Sequence, residues 1–184
     1  MLIIDSREKS KLSDLVEKKA KAISVPTEKR WIEIGDYVYD DVCFEAKSVV
    51  DFIGSVMSKR LWTQLDNMDR HYQTNVVIIY GSLDEGILTI IENSKSKMPL
   101  VSRRIMLHNK FLGAIGRIVL DMDIKPIWVS SEEEAASIIT GVSKMKPIKR
   151  NTIRPEVFKR VTTDDLRLDV LTSIKGVSIK KAKE

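Results

Sequence analysis

Asp36, Glu45 and Lys47 are the residues of this chain whose types and spacing could do chemistry together. The stretch Val42 to Lys47 reads as a strand, and a side-chain period of two divides it cleanly. Val42, Phe44 and Ala46 share an apolar face, while Cys43, Glu45 and Lys47 share the other. Asp36 follows Gly35 in the turn that opens the preceding strand, so a hairpin would bring it level with Glu45. Two carboxylates converging away from water repel, and one takes a proton unless a cation joins them. Mg²⁺ suits such a pair, with Mn²⁺ as a substitute, because it accepts hard oxygens and keeps waters for a phosphate. An ion held there by Asp36 and Glu45 polarises a phosphodiester and acidifies a bound water. Lys47 is placed to position that water or to offset charge growing on the phosphorane. Turn aspartates and strand Glu/Lys pairs also occur without a metal, and both readings are open on these residues alone.

The elements that must position this group are legible in outline. Leu2 to Asp5 is a short apolar run, as in a buried strand. Leu12, Leu15, Val16 and Ala20 recur at helical spacing. Trp31 to Ile34 reads as a strand closed by the Gly35-Asp36 turn, followed by strands Tyr37 to Tyr39 and Val42 to Lys47. Helices are expected over Val49 to Met57 and Leu61 to Tyr72. VVIIY, Val76 to Tyr80, is apolar on both faces and suits a central strand ending at Gly81. A long helix is expected from Ile105 to Leu120, with more apolar residues than one core-facing stripe needs. It is either buried deep in its own domain or shared with a second subunit. Ile127 to Val129 reads as a last strand, and Ser131-x-x-Glu134 offers a capping box for a final helix. Strands interleaved with helices in this way indicate an α/β layer fold.

Composition narrows the class. The 184 residues are 43% hydrophobic and 31% charged, ordinary for a globular protein. No apolar run of membrane-spanning length and no secretory leader is present, so an intracellular location is expected. Cys43 is the single cysteine, which excludes an internal disulfide and a cysteine-built zinc site. The net charge is +5, yet Lys144 to Arg160 alone carries seven basic residues and one acid, Glu156. The excess is therefore one local stripe, either a solvated linker or a strap that binds phosphates by counterion release. Lys149 and Arg150 are its candidate DNA contacts. Three segments follow: an α/β domain over 1–145, a basic linker over 146–161, and a helical tail over 162–184. That tail has a helix from Thr163 to Leu171, the turn Ile174 to Val177, and a second helix opening at Ser178. It is too short to bury a core and is expected to be a domain cut short.

Taken together, Gly35-Asp36, Glu45-Ala46-Lys47 and Asp51 resemble the signature of XPF-type structure-specific endonucleases, a branch of the PD-(D/E)-x-K superfamily. The similarity takes in IIDSRE (Ile3 to Glu8), RLWTQ (Arg60 to Gln64) and VVIIY, and spans nearly residues 1–145. It implies a restriction-endonuclease-like core with a mixed central sheet flanked by helices. It further implies Asp36 and Glu45 as Mg²⁺ ligands and Lys47 as the catalytic lysine, with Asp5 and Arg7 flanking the site and Asp51 supporting it. Glu8 and Gln64 are weaker candidates. The tail LTSIKGVSIKKAK resembles the first hairpin of the family's helix-hairpin-helix domain, where Gly176 would let backbone amides approach a phosphate and Lys180 would add charge. Lys175 stands where the family usually has proline, and Ala46 where it has arginine, which implies reduced cutting. The expected activity is cleavage of branched DNA, 3′ flaps and forks, near the single- to double-strand junction. An archaeal type is implied, pairing as a homodimer through the Ile105 to Leu120 helix, with a sliding clamp as a candidate partner. The alternatives are a non-catalytic scaffold subunit that binds branched DNA, or a Holliday-junction resolvase.

Overall fold

Apolar side chains alternate across the central strands and feed two hydrophobic clusters, one on each side of a single sheet. The computed structural model describes residues 1–145. In chain order these form β1 (Leu2–Asp5), α1 (Lys11–Ala22), β2 (Thr27–Arg30), β3 (Tyr37–Tyr39), β4 (Val42–Ser48), α2 (Val49–Met57) and α3 (Arg60–His71). Then come β5 (Thr74–Tyr80), α4 (Leu83–Glu92), α5 (Leu100–Asp121), β6 (Ile124–Val129), α6 (Glu132–Gly141) and a 3₁₀ turn, Val142–Lys144. The sheet order is β2-β1-β3-β4-β5-β6. β3 runs antiparallel to both β1 and β4, whereas β1–β2, β4–β5 and β5–β6 are parallel. This is the mixed α/β sheet flanked by helices that the sequence implies.

β5 shows how the layers arise. Val77 and Ile79 join the larger cluster with Phe52, Leu65 and Phe111, while Val76 and Ile78 join the smaller one with Leu12, Val16 and Ile139. A strand covered on both faces must be apolar throughout, as VVIIY is. Phe44 and Ala46 of β4 pack into the smaller cluster as the period of two requires, leaving Glu45 and Lys47 on the opposite side.

Several boundaries differ from expectation. The strand expected over Trp31 to Ile34 is absent. The strand lies just upstream as β2, an edge strand whose mostly exposed Thr-Glu-Lys-Arg sequence carries no alternation to betray it. Ile32 and Ile34 still bury apolar surface against the larger cluster, but from a loop. α4 was not foreseen, although Ser82 caps it by accepting the Glu85 N–H at 3.4 Å. β6 starts three residues earlier than expected and carries Pro126, which an edge strand tolerates because one side needs no ladder donor. α5 starts at Leu100, directly after Pro99, and so gains a turn. The Ser131 cap of α6 forms as expected, accepting the Glu134 N–H at 3.2 Å. The basic linker, the tail helix at Thr163, and Lys149, Arg150, Gly176 and Lys180 lie outside the described residues.

Candidate active site

The β3–β4 hairpin assembles the core of the site. Tyr37 pairs with Phe44, and one further step of that register sets Asp36 opposite Glu45. The Asp36 N–H donates to the Phe44 carbonyl at 2.9 Å, which continues the ladder through this step. Gly35 makes the entry possible: its φ of +87° favours glycine, and a Cβ there would collide with the Cys43 sulfur.

Each carboxylate is anchored through one oxygen. Asp36 Oδ2 accepts the Ala46 backbone N–H at 2.8 Å. Glu45 Oε1 accepts from Lys47 Nζ at 2.7 Å and from Gln64 Nε2 of α3 at 2.9 Å. Asp36 Oδ1 and Glu45 Oε2 make no hydrogen bond among the described residues. Glu45 and Lys47 are both buried, so their ion pair sits where an unpaired charge would be costly. Asp36 remains part-exposed to the cleft. Burial first, and the Glu45 charge second, push its carboxyl up to about 8. Asp36 therefore favours its protonated form near neutral pH.

These groups open into a cleft of about 310 Å³ lined by Asp5, Arg7, Glu8, Glu33, Ile34, Gly35, Asp36, Glu45, Gln64 and Asn67. Asp5 ends β1 and is buried. Burial raises its carboxyl, but hydrogen bonds and charge from Arg7 outweigh that and hold it below the ordinary carboxylate range. Arg7 grips it with Nη2 to Oδ2 at 2.6 Å and Nε to Oδ2 at 2.9 Å, and its backbone N–H reaches Oδ1 at 3.0 Å. Glu8 accepts the N–H of Ser10, the residue that caps α1.

Asp5, Arg7, Asp36, Glu45 and the weaker candidates Glu8 and Gln64 thus line one cleft, with Lys47 bonded to the Glu45 carboxylate. Asp51 is not brought to the cleft. The chain turns into α2 directly after β4, and there Asp51 accepts the Ser48 hydroxyl at 2.6 Å while donating its own N–H back to Ser48 at 3.1 Å. That is a helix-start role. Glu33 and Asn67 were missed. Asn67 stands three residues after Gln64, one turn along α3, a spacing that could have flagged it. Ala46 contributes its N–H to Asp36, but its methyl faces the smaller cluster, away from the cleft.

Could this site hold Mg²⁺? No group of three or more His, Cys, Asp or Glu side chains closes around a point among the described residues. Two carboxylates, each with one oxygen left over, fit an ion that completes its shell with water and substrate phosphate.

The ERCC4 domain profile matches residues 4–142. The chain belongs to the ERCC4 domain family. Among ERCC4-type relatives, DNA repair endonuclease XPF of Drosophila melanogaster is 40% identical over 80 residues, covering 42% of this chain and 8% of that protein. The 3′-flap repair endonuclease Xpf of Saccharolobus solfataricus is 24% identical over 114 residues, covering 61% and 42% respectively. A putative ATP-dependent RNA helicase of Methanocaldococcus jannaschii is 28% identical over 149 residues, covering 80% of this chain and 16% of that one. The chain therefore spans less than half the length of these relatives. XPF from Aeropyrum pernix in complex with DNA has the same fold, with a TM-score of 0.62 at 20% identity over 99% of this chain and 78% of that one.

Proposed function

We propose that this ERCC4-family chain is a metal-dependent endonuclease that cuts branched DNA, 3′ flaps and forks, near the junction of single and double strand. The observation that carries this reading is the Asp36–Glu45 pair with its buried lysine: two carboxylates forced together, each with one oxygen unbonded, beside an ammonium. Asp36 and Glu45 would hold Mg²⁺, with Mn²⁺ as a substitute. When bound, the ion supplies electrophilic assistance to the phosphate and a water of lowered pKa.

The chain's own residues divide the remaining work. The Ala46 N–H and the β3–β4 ladder fix Asp36, so its free oxygen keeps one orientation. Gln64 and Lys47 together hold Glu45 through Oε1, directing Oε2 to the opposite side of the carboxylate. Lys47 carries a positive charge into a water-poor site, where it can orient a nucleophile or offset charge on the reacting phosphate. Arg7 neutralises Asp5, so that acid adds little net charge to the cleft.

Pairing as a homodimer through α5 is part of the proposal. Val101, Ile105, Leu112 and Val119 recur at spacings of 4, 7 and 7, a single helix face, and all are exposed. No helix among the described residues is long and apolar enough to cross a membrane, and an intracellular location is part of the proposal because cellular DNA would be the substrate. Incubation of labelled flap and four-way-junction DNA with the full chain in Mg²⁺ or Mn²⁺, beside Asp36→Ala, tests the assignment. Metal-dependent cutting by the wild type, lost in Asp36→Ala and stronger on flaps than on four-way junctions, is expected. Equal product from both proteins, or none from either, would overturn it.

A further inference from the structure

Trp31 belongs to neither hydrophobic cluster of the described residues. Trp62 lies half-buried beneath the Arg117 guanidinium, 4.4 Å from its ring centre. Trp128 packs edge-on against Phe111 and donates its indole N–H to the Gly81 carbonyl. Trp31 is instead 62% exposed, has no aromatic neighbour, and makes no indole hydrogen bond within the described residues. An indole this open beside the cleft offers a large flat apolar face, the kind of surface on which a base stacks.

The cation beside its ring says which kind of ligand. The Arg7 guanidinium lies 5.6 Å from the Trp31 ring centre. Arg7 spends Nε and Nη2 on Asp5 and on the Ile32 carbonyl, which fixes the guanidinium in place. Its Nη1 makes no hydrogen bond among the described residues and remains a charged donor. Arg30, adjacent in sequence, is exposed and makes no ion pair among them. A flat π surface beside the Arg7 guanidinium and its free Nη1 matches a nucleotide, with its base on the ring and a phosphate on Arg7. Position makes the match specific. Arg7 lines the same cleft as Asp36 and Glu45, and the loop carrying Trp31 continues into Glu33, Ile34 and Gly35 of that cleft wall. A base stacked inside a duplex offers no free face to an indole, whereas an unpaired base at a branch does.

We propose that Trp31, backed by Arg7, is a stacking platform that receives one unpaired nucleobase of the branched DNA at the edge of the cleft. The platform rests on the nuclease reading above and adds to it the feature that selects a junction over plain duplex. Trp31 would be a positioning residue: it holds the strand at a fixed distance from Asp36 and Glu45 without touching the scissile phosphate.

The test uses fluorescence anisotropy with labelled 3′-flap DNA and the full chain in Ca²⁺. Wild type, Trp31→Ala and Trp31→Phe are compared while an abasic site is walked through the unpaired nucleotides at the junction. Trp31→Ala should weaken binding about tenfold, the size of one base–aromatic stack, and Trp31→Phe less. At one junction position the abasic site should weaken wild type by a similar factor and leave Trp31→Ala unaffected. Equal affinity of wild type and Trp31→Ala, or an abasic penalty of the same size in both, would overturn the platform. So would a lowered melting temperature of Trp31→Ala with unchanged affinity, which would mean that the indole packs on protein. Cleavage of the same flap by wild type in Mg²⁺ is scored separately. If it persists while the abasic coupling is absent, only the platform fails; if wild type neither binds nor cuts, both readings fail.

Discussion

The cleft at the β3–β4 hairpin and the outer face of α5 break opposite rules. One buries charge: Glu45 and Lys47 lie in the sheet, with Asp36 pressed against them. The other exposes apolar surface: Val101, Ile105, Leu112, Val119 and, at 83% exposure, Leu120 face outward on a helix whose inner residues already fill the core. On the proposed reading a cation would complete the first and an apolar partner would cover the second. The two differ in what holds them. The cleft is fixed by hydrogen bonds with defined partners, so single atoms matter there. The α5 face has no such partners, and its energetics should scale with area.

That contrast can be broken at the buried pair first. Lys47→Ala should destabilise the fold by about 3–5 kcal/mol by stranding Glu45, and cleavage should fall about 10²- to 10³-fold. Urea unfolding measures the first and flap cleavage the second. The double change Glu45→Gln with Lys47→Met should recover much of the stability and none of the activity. If the single change alters stability no more than an ordinary surface substitution, Lys47 is not the partner that makes the burial of Glu45 tolerable.

On α5 the opposite pattern is expected. Ile105→Arg with Leu112→Arg should convert dimer to monomer in sedimentation, with each change altering monomer stability by only about 0.5 kcal/mol. A variant that sediments as wild type would exclude this face as the pairing surface.

A proton and a cation should compete at Asp36. Its folded pKa is raised from the ordinary value of 3.8 to about 8, so its stabilising protonation is complete at low pH and is lost as pH rises through that range. Without metal, melting temperature should fall between about pH 4 and 8. Mg²⁺ should raise it most at the alkaline end, and Asp36→Asn should flatten both trends. A metal-induced rise that is independent of pH would separate the ion from this carboxyl.

The smallest effect is expected at Ala46. Its side chain points to the α1 and α6 side while only its backbone N–H serves Asp36, so Ala46→Arg should change flap cleavage by no more than about threefold, the reach of an indirect packing change. The lower activity implied by losing the family's arginine would therefore be modest. A tenfold rise on restoring arginine would place position 46 in the chemistry.

The centre of the site was readable because it is local. Eight residues lie between Asp36 and Glu45, a hairpin connects them, and a two-residue period decides which side chains share a face. The surrounding wall was not. Gln64 reaches Glu45 from 19 residues away because α3 packs across the sheet. The loop after β2 brings Trp31 beside Arg7, although the alternation in WIEI suggests a strand. Asp51 belongs to the same sequence signature yet turns away into the first turn of α2, bonded to the Ser48 cap.

Sequence alone determined which strand and which turn carry the acids and the lysine, since short-range periodicity survives any packing of the elements. Only the tertiary structure decided which remote side chains anchor those acids, which oxygens stay free and which surfaces lack a partner. Those outcomes depend on how helices lie on the sheet, a geometry settled by the whole core rather than by any one segment.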